Sequence, residues 1–315
     1  MPFISIAPRY TQSMRKVGYL AALSGLMALG ISAPQATADL PQAVVVIDSG
    51  LPTSLFTNIL TEVCVLEYSN CPNGKQFMEG VGAANTPAST NATLTHGTEM
   101  ISIINAVNPN VKIIPIRIIG ITDKGNPYIY SNDAVKLALD WVVANQAKYN
   151  ITAVNVSQGK VFDNCKVPKG TAEDVAALKA KNVAVIAATG NDQNRTSMFS
   201  IACLPDAVSV GATDNPWPGS QGYAYDPKAS PTIARYSNGN ALTSFYANAR
   251  WFVLQPNGKT KFMVGTSNAT AAITGFWTLN RKESWKATYD YLSSVSIPTS
   301  NQWLAGKYIF IPQPS

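Results

Sequence analysis

Short apolar runs rich in β-branched residues recur along this chain at Ala43–Ile47, Val111–Ile118, Thr152–Val156, Val183–Ala188 and Ala207–Gly211, each bounded by turn-forming residues. No other feature restricts the fold so much. A strand with one face in water alternates apolar and polar residues, whereas these runs are almost continuously apolar, which suits strands covered on both faces. The segments between them carry helical spacing instead: Val135, Leu139, Val142 and Val143 within Asn132–Lys148, and Val175 and Leu178 within Thr171–Lys181. Strand and helix in alternation predict an α/β fold, a doubly wound, mostly parallel sheet flanked by helices. Ligands of such sheets bind beyond the carboxyl ends of the strands. Asp48 and Ser157, at or just past strand ends, therefore stand where chemistry is expected.

Residues 1–38 read as an export signal rather than as part of this fold. Arg15 and Lys16 form a positive region, Val17–Ile31 an apolar stretch, and Ala36-Thr37-Ala38 a small-residue cleavage site. Met14, directly ahead of the basic pair, is an alternative start. The apolar run falls short of the roughly 20 residues that a spanning helix needs, so a secreted or periplasmic protein is expected, with no stable membrane association once the signal is removed. Arg9, Arg15 and Lys16 supply three of the six net positive charges of the whole chain. The small excess left on residues 39–315 does not suggest a nucleic-acid partner. That stretch shows no linker, charge block or internal repeat, so one domain is expected.

Four cysteines in an exported chain suggest two disulfides, with three pairings open. Cys64 and Cys71 bracket a short Tyr/Ser/Asn loop, which favours joining them and leaves Cys165 for Cys203.

The chain holds one histidine, His96, in Thr95-His96-Gly97-Thr98. A strand-end aspartate precedes it in Val46-Ile47-Asp48-Ser49-Gly50, and a serine follows in Gly265-Thr266-Ser267-Asn268-Ala269. Asp, His, Ser is one of the chain orders in which a serine nucleophile, its base and an orienting carboxylate are assembled. Thr95 is read as the cap of a helix running through Met100, Ile103 and Ile104, which puts His96 at a helix start. Ser267 likewise opens a helical stretch, where free N–H groups are available to an oxyanion.

At these motifs the chain resembles the subtilisin-like serine peptidases. The likeness runs from about Val44 to Gly275 and includes two further segments. Val154-Asn155-Val156-Ser157-Gln158-Gly159 resembles the family strand whose edge pairs with extended substrate, and Ala187-Ala188-Thr189-Gly190-Asn191 the stretch that ends in the oxyanion asparagine. The resemblance implies a subtilisin-like fold over residues 39–315 and an exported serine endopeptidase that cleaves polypeptides through an acyl-enzyme. It makes Asp48, His96, Ser267 and Asn191 catalytic, lines the substrate cleft with Ser157, Gln158, Gly159, Ala188, Thr189 and Gly190, and calls for no cofactor. No carboxylate run has calcium-loop spacing. With Gln158 as a pocket wall and no acid there, a strict preference for Lys or Arg before the cut is not expected. The alternatives are a catalytically idle peptide-binding scaffold and an acyl transferase on the same fold. Ala271 stands where the family usually has proline. Asp39–Ile47 leaves no room between the predicted cleavage site and Asp48 for the pro-domain usual in secreted members, so folding without a cleaved pro-domain is expected.

Overall fold

A computed structural model describes residues 40–313 apart from 87–90, 123, 125, 128–131, 162–165 and 215–230. Its strands are β1 (Ala43–Asp48), β2 (Val63–Val65), β3 (Phe77–Glu79), β4 (Lys112–Arg117), β5 (Ile151–Val156), β6 (Ala184–Ala188), β7 (Val208–Thr213), β8 (Phe245–Asn248), β9 (Arg250–Leu254), β10 (Thr260–Val264), β11 (Ile297–Ser300) and β12 (Ala305–Ile309). The α-helices are α1 (Ala92–Val107), α2 (Asn132–Asn145), α3 (Thr171–Ala180), α4 (Thr266–Leu279) and α5 (Trp285–Ser294). None of the described helices is long and apolar enough to cross a membrane.

One sheet runs β11-β12-β8-β7-β6-β5-β1-β4-β2-β3, parallel throughout its centre and antiparallel at the two outer pairs, β11 with β12 and β2 with β3. Strands β9 and β10 form a separate antiparallel ribbon. The apolar character of the central strands follows from their two covered faces. Val44 and Val46 of β1 join Met100, Ile103 and Ile104 of α1 and Ile273 and Trp277 of α4 in one core. Val45 and Ile47, pointing the other way, join Leu139 and Val142 of α2 and Val175 and Leu178 of α3 in the other.

Chain direction makes β1 the turning point of the sheet. From β1 the chain crosses to β4 on one side, and from β5, on the other side of β1, it goes on to β6 and β7. The carboxyl ends of β1 and β5 thus flank the crevice where such sheets bind ligands. Their register, Ile47 beside Val156, brings the residues that follow each strand face to face.

Two helices frame that crevice. Helix α1 starts earlier than the sequence suggested. Asn91 caps it, its side chain accepting from Thr93 N at 2.9 Å, while the Thr95 hydroxyl lies inside the helix and bonds Glu99 Oε1 at 2.8 Å. His96 consequently sits on the second helical turn rather than at the opening. Helix α4 is buried on nearly all sides. Its Thr270 and Thr274 hydroxyls bond back to the carbonyls four residues earlier, at 2.8 and 2.9 Å. A Cβ on Gly275 would stand 2.7 Å from Val107 Cβ, so only glycine lets α4 come this close to α1.

The Cys64–Cys71 disulfide closes the turn between β2 and β3. Cys203 is also disulfide-bonded, and Cys165, the partner expected for it, lies outside the described residues.

Candidate active site

Asp48 is the last residue of β1 and is 1% exposed. A carboxylate this buried must have hydrogen bonds, and three donors converge on it. Ser49 N–H donates to Oδ1 at 2.7 Å, Gln158 Nε2 donates to the same oxygen at 3.1 Å, and His96 Nδ1 lies 2.9 Å from Oδ2 and 3.0 Å from Oδ1. Because the carboxylate only accepts, Nδ1 carries the proton and the far ring nitrogen, Nε2, is left as the basic atom.

The glycines of both motifs are needed for this approach. Gly50 has φ +81° and a Cβ there would stand 2.3 Å from Ala84 O; a Cβ on Gly97 would stand 2.4 Å from Gly50 O. With neither Cβ present, the Asp-Ser-Gly turn packs against the second turn of α1. The Ser49 hydroxyl accepts from Gly97 N at 2.9 Å and donates to Leu94 O at 3.2 Å. Ser49 therefore ties the carboxylate's turn to the histidine's helix, a role that sequence reasoning missed although the residue stands inside the quoted motif.

The imidazole is 15% exposed. Burial disfavours its charged form, but the Asp48 charge and hydrogen bond outweigh burial, with a smaller push from Glu99 on the same helix, and the His96 pKa is raised above its ordinary 6.5.

Ser267 is the second residue of α4, after Gly265 as N-cap. Its hydroxyl donates to Ser157 O at 3.2 Å, and the Ser157 hydroxyl donates back to Ser267 O at 3.2 Å. No hydrogen bond joins Ser267 to His96 among the described residues. Asn191 is exposed, and its Oδ1 accepts from Thr266 N at 2.9 Å and from Thr266 Oγ1 at 3.0 Å. That anchorage turns the amide so that Nδ2, without a partner among the described residues, is the free end. Thr266 was not singled out in the sequence, although it stands beside the serine.

The residues expected to line the cleft sit at or just past the ends of β5 and β6. Ala188 ends β6, Thr189 N donates to Val210 O at 3.0 Å, and Gly190, at φ +105°, donates its N–H to Thr266 Oγ1 at 3.3 Å. A Cβ on either Gly159 or Gly190 would lie 2.5 Å from the Phe199 ring, so that ring fills the space between the two segments. The amide of Gln158, the residue expected as a pocket wall, is turned toward Asp48 and His96.

Compared with known families, residues 42–302 match the model of the Subtilase family. The chain belongs to that family. Among characterised subtilases and their kin, it is 27% identical over 186 residues to an extracellular serine proteinase of Thermus sp. (strain Rt41A), an alignment covering 57% of this chain and 39% of that protein. It is 32% identical over 126 residues to subtilisin-like protease 3 of Pseudogymnoascus destructans, covering 38% of this chain and 29% of that one. The matches thus span well under half the length of both relatives. The subtilase fold recurs in the crystal structure of a cold adapted subtilisin-like serine proteinase (TM-score 0.59, 18% identity, 87% of this chain and 89% of that). It recurs again in the prenylagaramide maturation protease PagA (TM-score 0.56, 20% identity, 82% and 85%).

Proposed function

We propose that this subtilase is an exported serine endopeptidase that hydrolyses peptide bonds through an acyl-enzyme, with Asp48, His96, Ser267 and Asn191 as its catalytic residues. The observation that carries the reading is the buried Asp48 carboxylate held on His96 Nδ1 at 2.9 Å, with Ser267 bonded to Ser157 O just past the end of the neighbouring strand β5. A carboxylate so placed selects the tautomer whose Nε2 accepts a proton and stabilises the imidazolium that results.

In the reaction, the Ser267 hydroxyl swings from Ser157 O to His96 Nε2, since hydrogen bonds of this kind often tighten only with substrate bound. His96 takes the proton as Oγ attacks the peptide carbonyl. The negative oxygen of the tetrahedral intermediate is met by Asn191 Nδ2 and by the Ser267 backbone N–H, one of the N-terminal N–H groups of α4 that the helix leaves unbonded. Collapse of the intermediate sends the proton from His96 to the leaving amine. Water then attacks the acyl-Ser267 ester by the same route in reverse.

Residues 1–38 act as the export signal in this reading, and the extracellular Thermus relative supports a secreted or periplasmic location. A fluorophosphonate probe tests the chemistry. Folded protein is expected to be labelled at Ser267, and His96→Ala is expected to abolish labelling. A protein that stays unlabelled is an idle peptide-binding scaffold, and labelling that survives His96→Ala sinks the triad.

A further inference from the structure

Gln158 follows the two-residue step from the end of β5 and reaches across to β1. Its Nε2 is 3.1 Å from Asp48 Oδ1 and 3.0 Å from His96 Nδ1. The amide orientation follows from the partner: its oxygen in that place would face a carboxylate oxygen, acceptor against acceptor. Nε2 and Nδ1 are close to each other because both are directed at the same carboxylate. Ser49 N–H and Gln158 both engage Oδ1, whereas Oδ2, at 2.9 Å, faces the histidine, whose Nδ1 also lies 3.0 Å from Oδ1.

From this geometry, and resting on the triad reading above, we propose that Gln158 is a positioning residue that fixes the plane of the Asp48 carboxylate and so aims His96 at Ser267. Its amide engages the Asp48 carboxylate, and it acts through that carboxylate. The physical cause is the shape of the contact. Without Gln158 the carboxylate would be held by one backbone N–H and by the ring it is meant to orient, so the two could turn together about the Cβ–Cγ bond; a donor on Oδ1 from just past the neighbouring strand stops that turn. The donor also has an electrical effect with a defined sign. The positive end of its N–H dipole disperses charge on Asp48 and stands beside the imidazole ring, so it opposes formation of the imidazolium.

Two near-isosteric replacements in the full chain separate this role from mere packing. Gln158→Met keeps the bulk and removes the donor. It is expected to lower kcat on a chromogenic peptide about three- to tenfold, the range of one lost hydrogen bond, with KM within about twofold. The acid limb of the kcat/KM profile should move up by roughly half a unit as the imidazolium is relieved of the opposing dipole. Gln158→Glu, which puts a second negative charge beside the ring, should move the limb further in the same direction, by about one unit. A Gln158→Met protein with wild-type kcat and an unmoved limb, or one that loses thermal stability alone, refutes the role of Gln158. A limb that moves down refutes it as well. His96→Ala, assayed in parallel with the fluorophosphonate probe, reports on the reading beneath. Labelling that survives there overturns the triad, whereas labelling that vanishes while Gln158→Met behaves as wild type overturns only the role of Gln158.

Discussion

The two halves of the proposed catalytic site are built differently. On the base side, Asp48 is buried and engaged by donors from three segments, Ser49, Gln158 and His96. On the nucleophile side, Ser267 rests on a backbone carbonyl of Ser157, and the exposed Asn191 has an amide nitrogen with no partner among the described residues. Charge explains the contrast. A buried carboxylate without its hydrogen bonds is costly by several kcal/mol, so the base side has to be complete before substrate arrives. The nucleophile side is neutral at rest, and its spare donors are of use only when the oxyanion forms.

The sharpest way to break that contrast is Asp48→Asn. The amide keeps the shape and can still accept from Ser49 N, but it no longer favours a proton on Nδ1. We expect kcat to fall about ten-thousandfold, the loss known for this change in a serine peptidase triad, while the circular dichroism spectrum stays that of the wild type. Asn191→Ala addresses the other half. Here kcat should fall about a hundred- to thousandfold, again a figure established for such oxyanion donors in this family. Its thermal midpoint should fall only by what a lost helix-cap contact costs, about 1 kcal/mol, since Asn191 Oδ1 accepts from Thr266 at the start of α4. Thr266→Val is the milder form of the same test, since the backbone N–H still holds Asn191 Oδ1 after the hydroxyl is gone. About a three- to tenfold loss in kcat is expected there. If Asp48→Asn cost no more than Asn191→Ala in steady-state assays, the base side would not be the preassembled half.

The same contrast governs what was legible in the sequence. Strands β1 and β4 to β7 and helices α2 and α3 were readable nearly to their ends, because strands buried on both faces have no choice but continuous apolar side chains. Three of the remaining strands were not, for reasons visible in their residues. Strand β11 carries Pro298 at an edge, β9 alternates buried Trp251 with exposed Phe252, and β3 is three residues long and largely exposed. The start of α1 was misplaced because Asn91 and Thr95 are both good caps and only packing selects between them. In the site, Asp48, His96, Ser267 and Asn191 each stood in a recognisable local motif. Gln158 did not reveal its contact, since that depends on β5 lying beside β1, and strand adjacency is a property of the sheet rather than of either strand.

The smallest expected effect is also the one that links the two halves through a single proton. With Asp48 outweighing burial, the folded His96 pKa lies above 6.5. Its protonated form therefore stabilises the fold, fully so below the unfolded pKa near 6.5, and that contribution fades as pH rises through the folded value. The proposed mechanism requires the opposite state, since only the neutral ring can accept the Ser267 proton. Stability and activity should consequently exchange over one pH window. The kcat/KM profile is expected to rise through a midpoint above 6.5, and the difference in unfolding midpoint between wild type and His96→Asn should shrink over that same interval. An acid limb at or below 6.5 would mean that burial, not Asp48, dominates the ring. A stability difference that grows with pH would mean that the Asp48–His96 pair is not held together by charge.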